Sequence, residues 1–206
     1  MIALDTMERQ ALAGLAEIGV AKAAAALGKL MGSEVEMTVP DVAVVTRAEA
    51  ASRLDAAFPD RLVAVSESFG GPLVGAALLV VPQHSCADLV RAVLPDTIDP
   101  DHIAELEDEA LGEVGNIVLN NWLAVVANRL EANLNTALPV VLHGDGAAVF
   151  AACGVDGGPE APTIVFDVRF IVREQNIPGQ ILVAMDASSE AALRERIARY
   201  VNNIPG

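Results

Sequence analysis

The chain alternates between long helical patterns and short extended ones. Residues 5–31 are rich in Ala and Leu and have high helix propensity, with Asp5 placed to cap the start and Gly32 to end it. EVEMTVPDVAVVT, 34–46, alternates and is Val-rich, which predicts a strand interrupted at Pro40. RAEAASRLDAAF, 47–58, predicts a short helix. RLVAVSESF and PLVGAALLVV predict two strands joined through Gly70-Gly71, and HSCADLVRAVL, 84–94, a helix closed by Pro95. The pattern then restarts. Residues 100–132 predict the longest helix, with Asp99 as its cap and Pro100 in its first position. PVVLHGDGAAVFAAC reads as extended and GVDGGPEAP as a loop. TIVFDVRFIVRE and GQILVAMDA read as strands paired around Asn176-Ile177-Pro178, and SSEAALRERIARYV as a helix with Ser at its start.

Helix, strand, hairpin and helix thus occur twice. An offset of 99 residues places Pro40 on Pro139 and Ile18 on Ile117, and the hairpins align Phe69 with Phe170 and Gly75 with Gly179. One repeat of this length points to duplication of a half rather than to a solenoid. The expectation is a single α+β domain over 1–206, with two pseudo-symmetric halves of about 1–95 and 96–206. A central antiparallel sheet would carry the two long helices packed on one side.

Composition narrows the partners. The formal net charge is −15, which argues against nucleic acid and anionic membrane surfaces, because both need clustered Lys and Arg. Cys86 and Cys153 lack metal-ligand spacing and read as small buried hydrophobes. The N-terminus has no basic region followed by an apolar one, and the apolar run Leu73 to Val81 is too short to span a bilayer. A soluble, cytoplasmic protein without membrane insertion is expected. His84, His102 and His143 do not cluster as metal ligands, and no phosphate-binding loop or nucleophile elbow is present.

Candidate chemistry lies on the second long helix. At about 100° per residue, Ile103, Leu106, Ala110, Val114, Ile117, Val118 and Val125 form an apolar face. Glu109, Glu113, Asn116 and Asn120 form one stripe beside it, at spacings of four, three and four. Asn121 and Asn128 fall within the apolar arc and would need hydrogen-bond partners if buried. A Glu/Asn stripe is most often a solvated helix face. An amide is no base at neutral pH, but it both donates and accepts hydrogen bonds, which suits it to holding a water molecule.

Glu109-Ala-Leu-Gly-Glu113-Val-Gly-Asn116-Ile-Val, followed after 22 residues by Pro139, resembles the signature of the CheC/CheX/FliY phosphatases. That signature is Asp or Ser, three residues, Glu, two residues, Asn, 22 residues, Pro. Glu109 stands where the family has Asp or Ser. EIGVAKAAAALGKLMGSEVEMTVP and SFGGPLVGAALLVVP also resemble the first half of CheC proteins. The resemblance implies hydrolysis of the aspartyl phosphate on a CheY-type response regulator. Asn116 would orient the attacking water and Glu113 would pair with a receiver Lys, the catalytic pair. Glu109 and Asn120 would be partner-binding, and Pro139 structural. The Mg²⁺ would sit on the response regulator, so the chain needs no cofactor or metal of its own. CheD is a further candidate partner, for which the helix at 188–201 offers a surface. The alternative is a non-catalytic CheC-like adaptor or scaffold binding chemotaxis or flagellar-switch proteins. CheC proteins usually carry the signature twice. Here the offset places Gln10, Gly14 and Glu17 at the positions of Glu109, Glu113 and Asn116, and Pro40 keeps its spacing. The first site is therefore expected to be degenerate, with Gly14 tolerated if it serves close packing against the other long helix.

Overall fold

The computed structural model describes residues 4–93, 103–172 and 175–203. The first element is α1 (Thr6–Met31), started by a capping box between Asp5 and Glu8 and ended by Gly32 in the left-handed conformation. It leads into β1 (Val35–Thr46), α2 (Arg47–Ala57), the hairpin β2 (Leu62–Gly70) and β3 (Gly75–Pro82), and α3 (Gln83–Val93). The chain continues with α4 (Ile103–Arg129), β4 (Asn135–Thr136), β5 (Val140–Gly144), α5 (Gly146–Ala152), β6 (Pro162–Val172), β7 (Gln175–Met185) and α6 (Ala187–Asn202). The expected start of the second long helix, at Asp99 and Pro100, lies outside the described residues.

All strand pairs are antiparallel, in the order β1-β6-β7-β3-β2, with both β4 and β5 on the outer edge of β2. The two hairpins sit side by side in the centre, and each half places its edge strand against the hairpin of the other. Strand alternation sends apolar side chains to both faces. Val63, Val65, Leu79, Phe166 and Ile181 pack under α1, α3, α4 and α6. Leu62, Ala64, Leu78, Val165 and Leu182 pack under α2 and α5. The mixed α and β composition, the central antiparallel sheet and the two long helices on one side of it follow the sequence. By length and apolarity, α1 and residues 106–129 could each cross a membrane. That apolarity is used here for burial, against each other and against the sheet.

Three elements differ from the sequence reading. GAAVFAA is a helix, because Asp145 caps it through the amide of Ala148 and it buries Val149 and Phe150 against α2. Asn176-Ile177-Pro178 is no turn but part of β7, paired with Ile171, Phe170 and Arg169, and Ile177 is buried. The cap of α6 is Asp186 rather than Ser, and it accepts from Ser189, whose hydroxyl in turn accepts from the amide of Val74. The buried face of α4 is also wider than expected, since Leu111, Leu119, Trp122 and Leu123 join Ala110, Val114 and Val118. The ring of Trp122 meets Phe166 edge-on, with centroids 5.1 Å apart.

Two glycines set the height of the long helices. A Cβ on Gly19 of α1 would come within 2.7 Å of the Trp122 ring, and a Cβ on Gly115 of α4 would collide with the side chain of Val65 on β2. Gly14, by contrast, is exposed, and a Cβ there would meet nothing within 4 Å. Close packing is therefore not what Gly14 serves. Gly14→Ala should raise stability by about 1 kcal/mol through helix propensity, whereas Gly115→Ala should lower it by about 1–3 kcal/mol through overpacking. Urea unfolding of the two variants beside the parent checks both signs.

Candidate functional site

The seating of Gly115 on Val65 turns the polar stripe of α4 towards the edge of the sheet. Glu109 and Glu113 are exposed, and Asn116 and Asn120 are half-buried. Asn120 Nδ2 donates to Asn116 Oδ1 at 2.6 Å, and Thr136 Oγ1 donates to Asn120 Oδ1 at 3.4 Å. The structure thus brings the two amides together and adds Thr136. Asn121 turns back to donate to the carbonyl of Ile117 at 2.8 Å, which satisfies it, and Asn128 is exposed.

Thr136 reaches the helix because the chain reverses sharply after α4. Glu131 adopts a left-handed conformation, with φ of 52°. The Arg196 guanidinium of α6 donates to the carbonyls of Leu130 and Glu131 at 2.9 and 2.6 Å. The short β4 then pairs with Phe69 and Gly70, and β5 resumes pairing at Ser66. Pro139 sits between β4 and β5, where a proline costs no ladder hydrogen bond. Beside it, Leu138 is 88 % exposed and Val140 58 %. The site therefore carries a small apolar lip next to its amides and carboxylates.

Beneath the site lies Glu67 of β2, which is 0 % exposed. It falls between Ser66, paired with Val140, and Phe69, paired with Thr136. It shares strand parity with Val63 and Val65, and so points to the α4 face. Burial pushes its carboxyl above the ordinary value of 4.5, and the nearby Thr136 hydroxyl offsets part of that rise. Neither carboxyl oxygen reaches a partner at hydrogen-bonding geometry. The sequence reading missed Glu67, Thr136 and Leu138. Glu67 alone left a signal, a charged residue at an inward position of VSESF.

The first half is arranged differently. Glu17 Oε1 accepts from the amide of Val39 at 3.1 Å, which fastens α1 to the irregular stretch of β1 between Thr38 and Asp41 that contains Pro40. Gln10, Gly14 and Pro40 are exposed. Among the described residues, no three His, Cys, Asp or Glu side chains group as a metal site. His84 and His143 lie at the surface beside Asp60 and Asp108, at 3.2 and 2.9 Å, and His102 lies outside the described residues. Burial, with Glu107 and Asp108 adding to it, pushes the Cys86 thiol up to about 12, so it is no nucleophile at neutral pH.

No protein-family model matches the chain. It is 24 % identical over 180 residues, 86 % of this chain and 90 % of the relative, to CheC1 of Halobacterium salinarum, assigned as a CheY-P phosphatase. It is 34 % identical over 141 residues to the flagellar motor switch phosphatase FliY of Bacillus subtilis, a match that spans 67 % of this chain but 36 % of FliY. Its fold matches the crystal structure of Thermotoga maritima FliY with a TM-score of 0.75 at 19 % identity, over 97 % of this chain and 100 % of that one. The chain belongs to the CheC/CheX/FliY family. This family fold is also seen in FliM, as solved in a FliG-FliM complex from H. pylori, with a TM-score of 0.65 at 10 % identity, over 91 % of this chain and 100 % of the other.

The raised Glu67 carboxyl has a consequence for stability. A carboxyl that keeps its proton in the folded state stabilises fully below its unfolded value and loses that contribution as pH rises through the folded value. As pH rises above the ordinary carboxyl value of 4.5, the protein should therefore lose stability relative to Glu67→Gln, which has no proton to lose. Urea midpoints of the two proteins across that rise test it, and parallel curves would show that Glu67 is not protonated in the fold.

Proposed function

We propose that this chain is a cytoplasmic phosphatase for the aspartyl phosphate of a CheY-type receiver domain. The observation that carries the reading is the Asn116 amide, half-buried and held by Asn120, with Glu113 exposed one turn before it on the same stripe. In this reading α4 docks across the receiver's phosphorylation site. Asn116 holds a water molecule in line with the phosphorus. The water oxygen bonds to phosphorus as the bond to the aspartyl oxygen breaks, which frees the carboxylate, inorganic phosphate and a proton. A receiver-bound Mg²⁺ supplies charge stabilisation. Positioning of this kind suits phosphoryl transfer, whose loose transition state needs little covalent help from the protein. Glu113 pairs with a receiver Lys. Glu109 and Asn120 flank the contact, and Leu138 gives it an apolar anchor.

The adaptor reading rests on the fold shared with FliM in its complex with FliG, and on Glu109 in place of Asp or Ser. The intact Glu113/Asn116 pair favours the phosphatase, since a scaffold needs no amide over its partner's phosphate.

Decay of a phosphorylated receiver with and without this protein separates the two readings. Asn116→Ala should slow the assisted decay by about 100-fold or more, as loss of a transition-state donor does, and Glu17→Ala should leave it nearly intact, because Glu17 serves the sheet. Activity that survives Asn116→Ala and disappears only when Glu17 is also changed would show a working first site. Glu113→Ala should raise the receiver concentration needed for half-maximal rate several-fold, as loss of a charge pair across a contact does. A variant unchanged in both affinity and rate would remove Glu113 from the contact.

A further inference from the structure

We propose that Glu67 is a positioning residue for Asn116, acting through Thr136 and Asn120. The inference rests on the reading of Asn116 as the residue that holds water. Glu67 is the one fully buried carboxyl among the described residues, and it lies under the gap between β4 and β5 rather than in the apolar centre. An ionised carboxylate there, without a partner, would be costly, so burial favours the neutral acid. A neutral carboxyl donates one hydrogen bond. The Thr136 hydroxyl gives its own proton to Asn120 Oδ1, which leaves its oxygen free to accept. A Glu67 proton turned to Thr136, a bond not made in this structure, would complete one directed series that ends with Asn120 Nδ2 on Asn116 Oδ1. The series would fix which way round both amides lie. One lone pair of Asn116 Oδ1 and both Nδ2 protons remain for a water molecule.

The other half supplies an internal comparison. Opposite the irregular stretch of β1 around Pro40, the residue between Asp167 and Arg169 is Val168, which is buried. The helix position above it carries Glu17, bonded to the backbone of Val39. Where the helix offers an amide, the strand beneath offers an acid; where the helix offers a carboxylate, the strand beneath is apolar.

The test begins without a receiver. In the ¹⁵N spectrum, the Asn116 side-chain amide is identified by its loss in Asn116→Ala. Glu67→Met should shift or broaden that pair of signals, and Glu67→Gln, which keeps a neutral donor, should restore them. Assisted decay of a phosphorylated receiver should follow the same order. Glu67→Met should lose about tenfold in maximal rate, as a misplaced positioning group does, with the half-saturating receiver concentration unchanged, and Glu67→Gln should recover most of the loss. Should Glu67→Met not fold, Thr136→Val, at an exposed edge position, must give the same spectral change and the same loss. Asn116 signals unmoved in both Glu67→Met and Thr136→Val would overturn the proposal, as would a Glu67→Gln variant no better than Glu67→Met. If the parent protein fails to speed receiver decay, the phosphatase reading falls, while the amide signals still decide whether Glu67 orients Asn116.

Discussion

The seat of α4 on β2, where Gly115 meets Val65, fixes the geometry of the candidate site. A helix normally rides over a sheet at the distance its side chains impose. Here the missing Cβ lets the backbone of α4 settle onto the strand, and the next residue, Asn116, joins Asn120, which meets Thr136 of β4. Gly19 against Trp122 repeats the device between the two helices, so α4 is held from below and from the side. Interiors are close-packed, and a change at either contact moves the helix as a body.

On that seat, polar groups are joined in series rather than scattered. Asn116, Asn120 and Thr136 share hydrogen bonds, and Glu67 lies beneath them without a bonded partner. Low dielectric around the buried Glu67 makes an unpartnered polar group there costly. The first half lacks that arrangement. Glu17 ties α1 to β1 through Val39, and the strand beneath holds Val168. The two long helices have similar lengths and places in the sequence pattern, but one presents polar groups outward and the other uses its carboxylate to close an irregular strand.

Much of this was legible in the sequence, for physical reasons that differ by element. The long helices announced themselves by propensity and caps, and Asp5 and Gly32 stand where read. The stripe of α4 followed from helical spacing alone. GAAVFAA escaped because seven residues are too few to show a helical period and Val and Phe suggest a strand. Asn176-Ile177-Pro178 misled because Asn and Pro mark turns locally, whereas pairing with Phe170 and the burial of Ile177 decide the register. Thr136 and Leu138 were invisible because their place beside Asn120 depends on the chain reversal at Glu131 and on Arg196, which lies 66 residues beyond Leu130. Glu67 could be seen as an oddity, but only strand pairing shows which helix lies over it.

The exchange of edge strands also bears on how the chain acquires its structure. Among the described residues, β1 finds its partner only in β6, with Val35 opposite Val172 and Thr46 opposite Pro162. More than a hundred residues must therefore emerge after β1 before it can pair. Contacts of such long range slow folding, since loop closure precedes any return from pairing. While synthesis continues, β1 and the inner side of β3 are unpaired edges, open to pairing with other chains. Pro40 and the irregular stretch around it lie in the strand that waits longest, and an interrupted edge is a poor template for another strand.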